Sequence, residues 1–143
     1  MTTEVDLGVP LRIADLRAAR DPIKVVVGPQ VRDRVTAART FLATVLGDDR
    51  AVYGATTGFG ALVGYAGRAD LRDQADNTLA HLGAGQGPDL DPEVVRATLL
   101  LRTASLARGA SGVSPHVIDA LAAMLATTFV PAMPRLGSVG ASG

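Results

Sequence analysis

Gly137-Ser138-Val139-Gly140-Ala141-Ser142-Gly143 follows an apolar segment and the prolines Pro131 and Pro134. Ala141 carries one methyl group and Gly143 no side chain. The backbone there can therefore be compressed until the Gly143 nitrogen meets the Ala141 carbonyl carbon. Ser142 stands between them with a hydroxyl that can leave as water. Ring closure and dehydration would yield an exocyclic methylidene, an electrophile that no unmodified side chain supplies. Read alone, Ala-Ser-Gly is also an ordinary flexible or capping loop, and a second stretch is needed to choose.

That second stretch is Val52-Tyr53-Gly54-Ala55-Thr56-Thr57-Gly58-Phe59-Gly60, and between the two lies Ser105-Leu106-Ala107-Arg108-Gly109-Ala110-Ser111-Gly112. Together they resemble the ammonia-lyase and aminomutase family that uses a 4-methylideneimidazol-5-one (MIO) prosthetic group. That family carries Tyr-Gly-x-x-Thr-Gly-Phe-Gly, Leu-Ala-Arg-Gly-x-Ser-Gly and Gly-Ser-x-Gly-Ala-Ser-Gly, and the chain matches each at every fixed position. The resemblance runs from about Leu11 onward. It implies a mainly α protein: the helical N-terminal part of an ammonia-lyase (aspartase-like) fold, with glycine-rich active-site loops and at most a minor strand. Residues 1–143 would then be the N-terminal part of a catalytic domain. The rest of the family fold, which continues past the triad with Asp-Leu, is absent from this chain.

The resemblance also implies roles. MIO would form autocatalytically from Ala141, Ser142 and Gly143, and Tyr53 would be the catalytic base. A tyrosine ordinarily ionises near pH ~10, so such a base needs its phenolate stabilised by backbone N–H groups or a helix N-terminus. Gly60 would lie against the substrate, with Thr57 and Phe59 supporting the loop. His81-Leu82 falls in the family's selectivity segment, where tyrosine-type members carry His-Leu. Arg108 and Ser111 read as structural, near the cofactor loop. The reaction implied is elimination of ammonia from an aromatic L-amino acid, with tyrosine giving p-coumarate favoured. A tyrosine 2,3-aminomutase making β-tyrosine and a histidine ammonia-lyase are the alternatives. The family's remaining polar groups lie after the triad, so this stretch alone is not expected to turn over substrate. The remaining lyase chain and a homotetramer are the expected partners. The reading from another class is a catalytically incomplete helical assembly fragment.

Composition narrows the field independently. A length of 143 residues with 48% hydrophobic content allows one cored domain, and with 3% aromatics that core must be aliphatic. Balanced charge, 14 basic against 14 acidic residues, gives no support to nucleic-acid or membrane-surface binding. With no cysteine, disulfides and thiolate metal sites are excluded, and no metal site is expected. Residues 1–6 lack a basic start and an apolar run, so no signal peptide is read, and a cytoplasmic protein is expected. A phosphate-binding reading of residues 56–60 fails for want of a following Gly-Lys-Ser/Thr.

Periodicity predicts helices over 11–20, 31–46, 71–82, 92–107 and 115–128, with Asp91-Pro92 and Ser114-Pro115 as start signals. In the second helix Val31, Val35, Ala38, Phe41, Leu42, Val45 and Leu46 form one stripe. The fourth is apolar on more than one side, which predicts burial in a bundle that more chain or a partner completes. Residues 23–27 read as one strand, and the glycines of 53–67 as a mobile loop. His116 reads as a surface residue.

Overall fold

A computed structural model describes residues 2–48, 50–67 and 70–139, with only the backbone of Leu71 and His81. Helices dominate it: α1 Ile13–Ala18, α2 Pro29–Gly47, α3 Leu71–Leu82, α4 Pro92–Ala107 and α5 Pro115–Leu125. Proline opens α2, α4 and α5, where its missing N–H is one the helix could not have used. Asp70 caps α3, accepting from the amides of Arg72 at 2.8 Å and Asp73 at 3.1 Å. Asp91 and Ser114 occupy the N-cap positions of α4 and α5, but neither side chain makes the capping bond.

α5 stops at Leu125 and does not run to Thr128. The Thr127 hydroxyl donates to the Met124 carbonyl at 2.9 Å and accepts from the Phe129 amide at 3.1 Å. These local bonds give the backbone an alternative to another helical turn.

The expected strand is present as β2, Ile23–Val26. It pairs in parallel with β1, Thr3–Asp6, placing Val5 opposite Val25. A separate antiparallel pair joins β3, Gln86–Asp89, to β4, Pro134–Leu136. Sequence reasoning missed β1, β3 and β4. Gln86-Gly87-Pro88-Asp89 has no strand propensity, and it extends because a partner distant in sequence lies beside it.

The core is aliphatic, as composition required. Val5, Ile23, Val31, Val35, Leu99, Leu100, Leu106, Ile118 and Leu125 form one buried cluster drawn from β1, β2, α2, α4 and α5. Arg96 lies within it, 2% exposed. Its Nε donates to the Ala19 carbonyl, Nη1 to Thr127 and Phe129, and Nη2 to Asp21 and Leu125, at 2.6–3.2 Å. The guanidinium thus gathers carbonyls left over where α1 and α5 end. The stripe of α2 is fully covered only at its start: Val31 and Val35 are buried, Ala38, Leu42, Val45 and Leu46 are half-buried, and Phe41 is 70% exposed. Val94 and Leu101 also face outward from α4. Among the described residues, no helix is long and apolar enough to cross a membrane.

Candidate active site

Residues 53–67 fold back on themselves. The Thr57 hydroxyl accepts from the Gly54 amide at 3.2 Å and donates to the Gly58 carbonyl at 3.0 Å. Gly58 N–H donates to the Tyr65 carbonyl at 3.1 Å and Gly67 N–H to the Thr56 carbonyl at 2.8 Å. Two of the glycines here are demanded by close contacts. A Cβ on Gly54, at φ +74°, would stand 2.5 Å from the Phe59 ring, and one on Gly58 would stand 2.5 Å from the Leu62 carbonyl oxygen.

This fold brings Tyr53 and Gly60 together. The Gly60 amide donates to the Tyr53 hydroxyl oxygen at 2.9 Å. Phe59 presents its ring edge-on to the Tyr53 ring, with centroids 5.9 Å apart. Tyr53 remains 63% exposed. Thr57 is buried and Phe59 packs on the tyrosine, both as supports of the loop. Gly60 has φ +53° and open space where a Cβ would be, so within this chain its glycine answers to backbone conformation and not to crowding.

A cavity of about 270 Å³ lies between the loop and α3, lined by Phe59, Leu62, Tyr65, Gly67, Gln74 and Asn77. Tyr53 does not line it, so it is space under the loop and not the environment of the phenol. α3 carries His81 and Leu82 in its last turn, and Leu82 is exposed. The chain then passes through Gly85 into β3, whose partner β4 is the segment that leads to the Ala-Ser-Gly triad. A Cβ on Gly85 would stand 3.0 Å from the Pro134 ring, so the two segments are packed closely. The segment that follows α3 and the approach to the triad are therefore neighbours in space, a juxtaposition that sequence reasoning did not foresee. Ala141, Ser142 and Gly143 lie outside the described residues, as does the His81 side chain.

The segment 108–112 packs on α2. A Cβ on Gly109 would stand 2.8 Å from the Arg34 carbonyl oxygen, and one on Gly112 would stand 2.6 Å from the Leu42 side chain. Arg39 donates to the Gly112 carbonyl at 3.4 Å. Arg108 and Ser111 are exposed at this turn. His116 is exposed in the first turn of α5, as expected, one turn from Asp119. The Arg32 guanidinium holds the Asp119 carboxyl below its usual pKa by hydrogen bonding at 2.8 Å and 3.2 Å.

The motif-bearing loops are thus set on a helical body with an aliphatic core, and the family model for aromatic amino acid lyases matches residues 11–143. The chain belongs to the aromatic amino acid lyase family.

Its relatives in that family differ in substrate by name. The chain is 41% identical over 121 residues to a tyrosine ammonia-lyase of Cereibacter sphaeroides, covering 84% of this chain and 23% of that protein. It is 38% identical over 141 residues to a histidine ammonia-lyase of Symbiobacterium thermophilum, covering 97% of this chain and 28% of the relative. Among solved structures, a phenylalanine aminomutase of Pantoea agglomerans superposes with a TM-score of 0.86 at 31% identity, over 96% of this chain and 27% of that one. The chain therefore spans about a quarter of the length of the lyases it matches.

Gln74 and Arg96 carry structure that the sequence reading of this family member missed. Arg96 had a signal: an arginine set among Val94, Val95, Leu99 and Leu100 on a largely apolar helix. Gln74 had none, because a glutamine within the polar run Arg72-Asp73-Gln74 is unremarkable until its partners are seen.

Proposed function

We propose that the protein carrying this chain eliminates ammonia from an aromatic L-amino acid, tyrosine being favoured, to give p-coumarate. The observation that carries the reading is the 2.9 Å bond from the Gly60 amide to the Tyr53 hydroxyl. Tyr53 removes a proton from the substrate β carbon, and the electron pair of that C–H bond forms the Cα–Cβ double bond. The Cα–N bond breaks and ammonia leaves. A base of this kind works only if its oxygen is negative before it acts. An N–H already aimed at that oxygen strengthens as the charge forms and needs no reorganisation. The edge-on Phe59 holds the ring so that the hydroxyl meets the amide.

Ala141, Ser142 and Gly143 are the residues that would form MIO, which would supply an electrophilic carbon for the substrate amine and so ease its departure. His81 and Leu82, ahead of β3, are the residues assigned to the substrate side chain, with the imidazole receiving a phenolic hydroxyl. Gly60 is assigned to the substrate-facing side of the loop. Phe41, Val94 and Leu101, exposed here, are expected to be covered by the remaining lyase chain or by other subunits of a homotetramer.

The test is Tyr53→Phe in the full-length protein, together with Ser142→Ala. Tyr53→Phe should abolish turnover of tyrosine while leaving the near-ultraviolet absorbance of the ring; Ser142→Ala should remove both. Turnover retained in Tyr53→Phe would refute the base assignment. The likeness to a phenylalanine aminomutase favours a second reading, in which ammonia returns to the β carbon. Product analysis from tyrosine decides between them: coumarate for the lyase, β-tyrosine for the mutase.

A further inference from the structure

Gln74 is only 6% exposed, on a helix whose described side chains otherwise lie mostly in solvent. Its Nε2 donates to the Gly54 carbonyl at 3.4 Å and the Thr57 carbonyl at 3.5 Å. Its Oε1 sits against Gly67, where a Cβ would stand 3.2 Å from it. The carboxamide is therefore bonded to the outgoing limb of the loop, at residues 54 and 57, and packs beside the returning limb, at residue 67. At these lengths each bond is weak, and burial is what gives the group its hold. Leu82 lies two turns further along α3, about 12 Å at the helical rise per residue.

We infer that Gln74 is a positioning residue for the reaction, whose buried carboxamide fixes the Tyr53 loop to α3. The phenol and the α3 residues His81 and Leu82 then keep one relative setting. This rests on the reading of Tyr53 as base, but its consequence for the loop does not depend on turnover.

The experiment is limited proteolysis of the full chain within residues 53–67, followed by fragment mass, alongside steady-state kinetics on tyrosine. Gln74→Met keeps the length and volume and removes the amide. It should raise loop cleavage about tenfold, because opening the loop no longer breaks the clamp. It should lower kcat by a similar factor with a smaller change in KM, since the base is displaced and not removed. Cleavage and kcat both within about twofold of the parent would overturn the inference.

Gln74→Glu keeps it testable if the methionine variant does not fold. An ionised carboxylate faces the two carbonyls with nothing to donate, whereas a protonated one supplies an O–H. Burial raises a carboxyl's pKa, so loop cleavage in Gln74→Glu should slow as pH falls from about 8 to about 5.5. Cleavage that does not change with pH, relative to the parent, would overturn the inference. Either cleavage result stands whether or not Tyr53→Phe retains turnover, so the two readings fail separately.

Discussion

The Gly60 amide reaches back across the loop to the Tyr53 hydroxyl oxygen at 2.9 Å, and Gly60 holds that position at φ +53° with nothing in the space a Cβ would fill. Gly60→Ala therefore costs backbone conformation alone, about 1–2 kcal/mol for a left-handed L-residue. The loop should shift to relieve it and take the N–H away from the phenol. Steady-state kinetics on tyrosine should show kcat down about tenfold, with the thermal midpoint little changed. A rise in KM alone would instead mark Gly60 as a substrate contact.

Arg96 ties the chain together where α1 and α5 end. In Arg96→Met the carbonyls of Ala19, Asp21, Leu125, Thr127 and Phe129 lose their common donor, the buried Ala19 and Leu125 among them. Urea unfolding should report a loss of about 3 kcal/mol or more. Arg96→Lys should recover only a minor part, since an ammonium cannot match the planar fork. A loss below about 1 kcal/mol in Arg96→Met would show that water satisfies those carbonyls.

Two glycines should respond in opposite directions. Gly109 combines φ +72° with the Arg34 carbonyl oxygen 2.8 Å from a built Cβ, and that oxygen belongs to the α2 backbone. Gly109→Ala should destabilise by about 2 kcal/mol or more. Gly47 ends α2 with open space around it, so Gly47→Ala should stabilise by up to about 1 kcal/mol. Thermal unfolding of the pair distinguishes conformational need from chance.

Acid should weaken the fold through two carboxyls. Asp15 is held below its usual pKa by hydrogen bonds from the Arg12 side chain and amide, and Asp119 by the Arg32 guanidinium. A depressed folded pKa means stability that is present above the ordinary carboxyl pKa of about 3.9 and lost as pH falls through the folded value. Urea midpoints should be flat from neutrality to about pH 5 and decline below about pH 4. Asp119→Asn should make that decline shallower. Its cost at neutral pH should stay under about 1 kcal/mol, because the pair is half exposed.

The loop carrying Tyr53 was legible because several of its glycines, Gly54, Gly58 and Gly60 among them, answer to close contacts or a left-handed backbone, and such a requirement survives in a single sequence. The helix starts at Pro29, Pro92 and Pro115 were legible or nearly so for the same local reason. The end of α5 was not, because Thr127 diverts the backbone through bonds that periodicity does not encode. Asp91 and Ser114 show the converse: the right residue stands at the cap and makes no capping bond.

By itself the sequence determined the helical class and the aliphatic core, since each follows from composition and the spacing of a few residues, whereas the residues assigned to chemistry follow from the family resemblance of their motifs. Only the tertiary structure decided that the Gly60 amide meets the Tyr53 phenol, that the Gln74 carboxamide reaches the Gly54 and Thr57 carbonyls, and that β4 runs beside β3. Those facts depend on which distant segments share space. That is fixed by the packing of the whole chain, and no local pattern records it.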